Sequence, residues 1–266
     1  MTIDIGISSC PNDIFMFDAI FHKKIDLEDL DFNFLIVDVE ELNKLALNNN
    51  LDVTKLSFNA FRYCIKNYIL LDSGSAIGRN CGPLLISKRN KNLNRNSLIA
   101  IPGEYTTANF LFDRAYPYLC NKKNVLFSEI EREILIDNFD AGVIIHENRF
   151  TYIEKGLYKV KDLGEFWEEK TGMPIPLGGI VCKRNLPYEV QKKIEKIIRN
   201  SIIFAFDNKD SSFDFIRSHS QEMKKDVIFN HINTYVNDFS ISLGSTGRSS
   251  IKKFLDGSIH NNQIFL

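Results

Sequence analysis

The sequence is short of cysteine, and its cysteines are not paired. Five are present, an odd number with no CxxC motif: Cys10, Cys64, Cys81, Cys120 and Cys182. Disulfide-rich domains and structural zinc sites both need paired, suitably spaced cysteines. We therefore expect reduced, mostly buried thiols, with neither a disulfide framework nor a structural zinc site.

The sequence also lacks a charge surplus and a long apolar run. Its net charge is −1, which argues against broad binding to nucleic acid or to anionic membranes. No stretch reaches the about 18 apolar residues of a membrane-spanning helix. Asp4 stands where a secretory signal would be basic, and no apolar segment follows it. These absences predict a cytoplasmic protein without nucleic-acid or membrane partners.

Common cofactor motifs are missing as well. The chain has no GxGxxG or GxxxxGK[ST] sequence for a dinucleotide or ATP, and no HExxH pair for a metal. We expect no metal site and no cofactor.

What is present is an alternation of strands and helices, typical of the α/β class. The predicted strands are residues 3–8, 34–37, 53–57, 68–72, 98–102, 125–127 and 141–146. The predicted helices are residues 13–22, 38–47, a segment around 110–112, 129–137 and one that begins after Pro187. Asp38 with Glu41, and Ser128 with Glu131, have the spacing of capping boxes. The last third of the chain is predicted to be mainly helical.

Two stretches echo each other and suggest two lobes. Gly82–Asn90 and Gly178–Asn185 both run from glycine through an apolar segment to Lys-Arg-Asn. We interpret them as strands that cross between lobes, although two unrelated edge strands would give the same pattern. Lobe one would comprise residues 1–88 and 184–266, and lobe two residues 89–183.

Polar clusters follow the predicted strands directly. They are Ser8–Asn12, Asp38, Lys55–Ser57, Gly103–Ala108 and His146–Arg149. Ligands of open α/β sheets bind beyond the carboxyl ends of the strands, so these clusters are the candidate site.

Each cluster also has an ordinary structural interpretation. Ser9 or Asn12, and likewise Thr106 or Thr107, could simply cap a helix instead of binding an anion. Lys55 could face solvent at a strand end. For Cys10, we favour a passive role in its turn over a role as a nucleophile.

His146 is the sharpest candidate for chemistry. It ends a strongly apolar predicted strand, which places it at a strand tip, and histidine is the usual general base near neutral pH. A structural role is the competing interpretation of a lone histidine. Glu147 or another carboxylate is expected to fix its tautomer.

Longer segments match a known family in chain order. They are Ser9–Asp13, Asp38–Glu40, Thr54–Ser57, Gly78–Arg79, Gly82–Leu84, Pro102–Gly103, Thr106–Ala108, Ala141–Tyr152, Asp162–Gly164, Trp167–Glu169, Pro174–Gly178 and Thr234–Asn237. In these segments the chain resembles the 1,4-dihydroxy-6-naphthoate synthase family of menaquinone biosynthesis. It departs from the family's pattern at Glu104-Tyr105 and at Ser9.

The resemblance implies a type II periplasmic (solute) binding protein-like fold with a cleft between two lobes. It implies a carbon–carbon lyase that converts cyclic dehypoxanthinylfutalosine to 1,4-dihydroxy-6-naphthoate and releases a three-carbon fragment such as dihydroxyacetone. The family's base falls on His146, and its substrate-contacting segments fall on Lys55, Leu56, Ser57, Thr107 and Ala108.

Further candidate substrate contacts, taken from the strand-end clusters, are Ser9, Asn12, Asp38 and Thr106. The expected partner is this small-molecule substrate, and a homodimer is compatible with the sequence.

Three other functions fit parts of the pattern. A non-catalytic solute-binding protein for a small anionic metabolite would share the architecture, because a fold does not fix a function. A sensing domain would normally accompany a DNA-binding segment, which is not evident here. Chorismate dehydratase shares the fold, but the His146 segment and the Pro11-Asn12-Asp13 turn favour the synthase.

Overall fold

Two separate β-sheets divide the chain into two units. The computed structural model describes residues 1–89, 92–219, 224–256 and 263–266. One unit comprises Met1–Gly78 and Pro176–Leu266, and the other comprises Arg79–Ile175. The lobe ranges 1–88 with 184–266 and 89–183 stay a prediction, as does the crossing role of the two echoing stretches; Asn90 lies outside the described residues.

The described elements are as follows. The strands are β1 (Thr2–Ser8), β2 (Asp31–Val37), β3 (Val53–Ser57), β4 (Tyr68–Leu70), β5 (Ala76–Gly78), β6 (Leu84–Ser87), β7 (Ile99–Ile101), β8 (Lys122–Asn124), β9 (Ala141–Ile144), β10 (Tyr158–Asp162) and β11 (Ile175–Lys183). The α-helices are α1 (Pro11–Phe21), α2 (Val39–Leu47), α3 (Phe58–Cys64), α4 (Thr107–Ala115), α5 (Ile130–Leu135), α6 (Asn148–Thr151), α7 (Leu163–Thr171), α8 (Tyr188–Asp207), α9 (Phe213–His219), α10 (Lys225–Tyr235), α11 (Asp238–Ile241) and α12 (Gly244–Phe254). Two 3₁₀ turns lie at Phe127–Glu129 and Lys209–Ser212.

The first unit is built on a mixed sheet in the order β2-β1-β3-β11-β4, with β5 paired to β11. In β1, Ile3, Ile5 and Ile7 are buried on one face, as the period-two pattern requires. The strands β1, β2 and β3 are parallel, so their carboxyl ends meet at one edge of the sheet. That edge carries three of the predicted polar clusters.

Helices cover this sheet with apolar side chains. The helix α1 is buried along almost its whole length and contacts α8, α9 and α10. In α8, Ile194, Ile197, Ile198 and Ile202 recur at helical spacing and join the cluster formed by the β1 isoleucines. This core packs the amino-terminal strand against the carboxyl-terminal helices.

The second unit has a five-stranded sheet in the order β10-β6-β9-β7-β8. The strands β7 and β9 are parallel neighbours, whereas β6 is antiparallel to β9 and β10. The segments after Ile101 and Ile144 therefore leave the same edge of the sheet. They are the two remaining polar clusters.

Most predicted elements are confirmed, including the helical last third, but some predictions are wrong. Residues 125–127 are not a strand: β8 lies earlier, at Lys122–Asn124, where a polar edge strand pairs with β7 through its backbone. Val125 instead packs on the core and the buried Phe127 begins a 3₁₀ turn. The Ser128–Glu131 capping box is also absent, because Glu131 bonds other side chains. Asp38 is confirmed as the N-cap of α2 by its 2.8 Å bond from the Glu40 N–H, but among the described contacts Glu41 does not complete the predicted capping box.

In the part of the chain that the structure describes, no helix combines the length and the apolar character that a membrane crossing requires.

Two isoleucines of α8 test this account of the core. Ile198 is 0% exposed and Ile203 is 41% exposed. We expect Ile198→Ala to lower the free energy of unfolding by about 2–5 kcal/mol, because it leaves a cavity. Ile203→Ala, on the same helix, should change it by less than about 0.5 kcal/mol. Urea unfolding of both variants is the measurement, and equal losses would contradict the packing described here.

Candidate functional site

A buried carboxylate organises the polar edge of the first unit. Asp13 accepts hydrogen bonds from the Ser8 N–H (3.1 Å), the Ser8 hydroxyl (2.7 Å), the Asn12 amide (2.9 Å) and the Lys55 ammonium (2.9 Å). These donors come from the end of β1, the first turn of α1 and the strand β3. Four donors compensate the loss of hydration of a buried carboxylate.

Lys55 is buried with its partner and does not face solvent. The side chains of Lys55 and Asp13 are 7% and 0% exposed. A buried ammonium needs such a countercharge, because desolvation of an unpaired ion costs several kcal/mol. The sequence predicted the position of Lys55 but not that Asp13 is its partner.

Asn12 links this network to a histidine from the far end of the chain. Its Oδ1 lies 2.9 Å from Nε2 of the fully buried His231 on α10. Since the Asp13 carboxylate only accepts hydrogen bonds, the Asn12 amide nitrogen faces Asp13 and its oxygen faces His231. His231 therefore donates from Nε2. The sequence signal was weak, a single histidine among the buried Ile228, Ile232 and Tyr235 of α10.

Neither Ser9 nor Asn12 caps α1. The N-cap residue is Cys10, which makes no side-chain capping bond, and its carbonyl accepts from the Asp13 and Ile14 N–H groups. The Ser8 hydroxyl accepts a long bond from the Cys10 N–H at 3.4 Å. The turn after β1 is thus held by Ser8 and Asp13, with Ser9 half-buried between them.

Asn43 of α2 joins this helix to the end of β3. This fully buried amide donates to Glu40 (2.9 Å) and to the Ser57 hydroxyl (3.2 Å), and it accepts from the Ser57 N–H (2.9 Å). Asn43 was not predicted from the sequence. It fixes Ser57 one residue beyond the buried Leu56.

Asp38 has one satisfied and one unsatisfied carboxylate oxygen. Oδ1 accepts from the Glu40 N–H, and Oδ2 is buried with no hydrogen-bond partner among the described residues. Burial raises the pKa of the Asp38 carboxyl, against the lowering effect of the backbone N–H groups at the start of α2. An unsatisfied buried oxygen of this kind is a natural acceptor for a ligand hydroxyl.

In the second unit, Thr106 caps α4 as the structural interpretation predicted. Its hydroxyl accepts from the Asn109 N–H (3.2 Å) and donates to the Gly103 carbonyl (2.8 Å). Thr107 and Ala108 are the first two residues of the helix and are buried. The backbone N–H groups of this first turn point out of the helix end, where an anion is favoured.

His146 lies two residues beyond β9, and its backbone is left-handed with φ 59°. The ring is half-buried and meets the ring of Phe127 edge-on at 4.8 Å between centroids. A left-handed φ is uncommon outside glycine, though histidine tolerates it better than most residues. The strand β9 ends at Ile144, whereas the sequence predicted that it would end at residue 146.

In each unit, the predicted site residues lie at the polar edge of that unit's sheet. Ser9, Asn12, Asp38, Lys55, Leu56 and Ser57 follow or end three adjacent parallel strands of the first unit. Thr106, Thr107, Ala108 and His146 follow two adjacent parallel strands of the second.

Three of the five cysteines are unsuited to nucleophilic chemistry. None of the five forms a disulfide, and four are buried. Burial raises the pKa of the Cys64, Cys81 and Cys182 thiols to about 12, so these three are poor nucleophiles at neutral pH. Among residues that the structure describes, no group of three histidine, cysteine or acidic side chains could hold a metal ion.

Known proteins match this chain along its length. The protein family described as menaquinone biosynthesis matches residues 3–258. A 1,4-dihydroxy-6-naphthoate synthase from Thermus thermophilus is 36% identical over 249 residues, which cover 94% of this chain and 91% of that protein.

Solved structures of similar fold were also found. A protein from Archaeoglobus fulgidus, 32% identical, superposes with a TM-score of 0.89 over 95% of this chain and 94% of its own. A Candida albicans protein described as having the generic periplasmic binding protein fold is 13% identical, with a TM-score of 0.71 over 97% of this chain and 90% of its own. The predicted solute-binding-protein-like α/β fold is thereby confirmed.

Neutralising Asp13 tests the buried ion pair. We expect Asp13→Asn to lower the free energy of unfolding by about 3–5 kcal/mol, because the Lys55 ammonium is left buried without its countercharge. The control is Asp31→Asn, since the Asp31–Lys23 pair is exposed and should be worth less than about 1 kcal/mol. Urea unfolding measures both, and equal effects would refute the assigned role of Asp13.

The raised pKa of Asp38 gives a second test. An ionised buried carboxylate destabilises the folded state above its folded pKa, and this cost vanishes as the pH falls towards the ordinary value of 3.8. Asparagine caps a helix as well as aspartate. We expect Asp38→Asn to unfold at higher urea than the wild type at about pH 7, with the gain shrinking at about pH 3.5. A gain that grows on acidification would contradict the assignment.

Proposed function

Since this chain belongs to the 1,4-dihydroxy-6-naphthoate synthase family of menaquinone biosynthesis, we propose that it is the carbon–carbon lyase that converts cyclic dehypoxanthinylfutalosine to 1,4-dihydroxy-6-naphthoate. The three-carbon, sugar-derived part of the substrate leaves as dihydroxyacetone. The observation that carries the proposal is His146, a half-buried imidazole just beyond the end of the buried strand β9.

In this proposal His146 is the general base. It removes a proton next to the substrate carbonyl or from a ring hydroxyl, and a retro-aldol-type cleavage or an elimination follows. Aromatisation of the remaining bicyclic ring supplies most of the driving force. The reaction is redox-neutral, so it requires no electron-transferring cofactor. A positioned base contributes about 10²–10⁴-fold to such a step.

The remaining predicted residues bind the substrate. The first turn of α4, with Thr106, Thr107 and Ala108, offers backbone N–H groups suited to a carboxylate or an enolate oxygen. The turn with Ser9 and Asn12 is the alternative site for the substrate carboxylate.

The sheet edge of the first unit supplies the other contacts. The Lys55 ammonium and the Ser57 hydroxyl, on either side of Leu56, can bond substrate oxygens. The unsatisfied Oδ2 of Asp38 suits a hydroxyl of the sugar-derived part. Their network partners hold these groups in place before the substrate arrives, which lowers the entropic cost of binding.

The proposal places the reaction in the cytoplasm, on a small-molecule substrate and without nucleic-acid or membrane partners. The balanced net charge of −1 supports the exclusion of polyanionic partners. A homodimer stays a prediction.

Replacing His146 tests the lyase function directly. We choose His146→Asn, because asparagine tolerates the left-handed backbone and cannot act as a base. The purified wild type, without added cofactor, should convert cyclic dehypoxanthinylfutalosine to 1,4-dihydroxy-6-naphthoate, followed by mass spectrometry. The variant should lose about 10²–10⁴-fold in kcat, with KM nearly unchanged.

His22→Asn is the matched control, since His22 is exposed, bonds Asp18 and lies at the carboxyl end of α1, whereas the polar turn lies at its amino end. It should keep wild-type turnover. Near-normal turnover of His146→Asn would remove the base assignment. Binding of the substrate by the wild type without any product would instead favour the solute-binding alternative.

A further inference from the structure

We propose that Glu131 is a positioning residue for the reaction and holds the His146 turn in place through Asn148. The inference rests on the proposed base role of His146. It comes from a buried cluster in the second unit that the substrate-binding assignments do not use.

Glu131 is a buried carboxylate with two donors on one oxygen. It is 2% exposed. Its Oε2 accepts hydrogen bonds from the Asn148 amide and from the Lys155 ammonium, each at 2.5 Å. Lys155 neutralises the charge, and its side chain is 46% exposed. Asn148 is itself buried, so its bond to Glu131 is shielded from water and stronger than a surface bond.

Asn148 stands two residues after His146. The preceding strand β9 is fixed in the sheet between β6 and β7, and only Ile145 separates it from His146. The His146 backbone is therefore anchored on one side by the sheet and on the other by the Asn148–Glu131 bond. This second anchor is what keeps His146 in its left-handed conformation against the intrinsic preference of the chain.

One continuous segment holds both the ring and the turn. Phe127, which meets the His146 ring edge-on, begins the 3₁₀ turn that runs directly into α5, the helix that carries Glu131. Ile130 and Ile134 of α5 pack under Ile144 at the end of β9 in the core of the unit. Residues 127–131 thus set where the imidazole lies and how its backbone turns.

Arg149 adds a third anchor to the same turn. It donates to Asp162 (2.8 Å) and to the carbonyls of Gly82 (2.5 Å) and Asn80 (2.8 Å). Asp162 also caps α7, so its replacement would disturb more than the turn. Glu131 is the sharper residue to test, because within the described part of the chain its side chain bonds Asn148 and Lys155 and caps no helix.

The decisive experiment separates kcat from KM. Since Glu131 does not touch the substrate in this assignment, Glu131→Leu should lower kcat by about 10–100-fold, as a displacement near 1 Å of a reacting group does, and leave KM within about threefold. Asn148→Ala should reproduce the loss, and the double variant should lose no more than either single one, because the two act as a unit. Additive losses would overturn the proposal.

Two matched variants exclude a merely structural role. Glu131→Gln keeps an acceptor for Asn148 and should recover most of the kcat. Glu133→Leu changes the same residue type on the same helix, where the side chain bonds Arg132 and Asn138, and should keep wild-type kcat. If Glu131→Gln is as slow as Glu131→Leu, or Glu133→Leu is equally slow, Glu131 has no specific positioning role.

A readout without substrate keeps the inference separable from the proposed reaction. The imidazole ¹⁵N resonances of His146, identified by their absence in His146→Asn, should shift in Glu131→Leu and Asn148→Ala and not in Glu133→Leu. Unchanged resonances in both of the first two variants would overturn the positioning role. A wild type that makes no product, with the resonances shifted as expected, would defeat the proposed function and leave the positioning role standing.

Discussion

The arrangement of the polar edge of the first unit depends on the hydrogen bonds that the buried Asp13 carboxylate accepts. It receives hydrogen bonds from Ser8, Asn12 and Lys55, which belong to three different elements. A buried lysine and a buried amide would each be costly alone, and the shared acceptor makes both tolerable. The same bond network dictates which way the Asn12 amide points and hence that Nε2 of His231 is a hydrogen-bond donor. The network therefore fixes the turn after β1, the strand β3 and the helix α10 relative to one another.

In the second unit, a different set of contacts holds the candidate catalytic residue in position. Here the group to be held is His146, whose backbone adopts an unfavourable left-handed conformation. Anchors on both sides offset that strain: the sheet before it, and the side chains of Asn148 and Arg149 after it. Strained residues persist where the surroundings over-determine them, and functional sites are where they cluster. In each unit, parallel strands place polar residues at one edge of that unit's sheet. Buried carboxylates then hold these residues in position.

Much of this could be predicted where local pattern and tertiary structure agree. Alternating isoleucines identified β1, and helical spacing identified α8, because both depend on the burial of a single face. The pattern failed for β8, where an edge strand made of polar residues is stabilised by backbone pairing with β7. It failed again at Glu131, whose capping spacing was genuine but whose carboxylate is claimed by Asn148 and Lys155. Both failures arise from partners that are distant in sequence.

The sequence by itself determined the α/β class, most of the alternation of strands and helices, the positions of the strand-end clusters and the choice of His146 as the candidate base. These follow from short-range periodicity and from segments that resemble a family over the whole chain. Only the tertiary structure decided that Lys55 pairs with Asp13, that His231 reaches Asn12, that one oxygen of Asp38 has no partner among the described residues and that Glu131 holds the turn after His146. The physical reason is that a buried charge or amide is tolerated only with its partner. The packing of strands and helices decides which residues become partners, and the spacing of residues along the chain does not predict it.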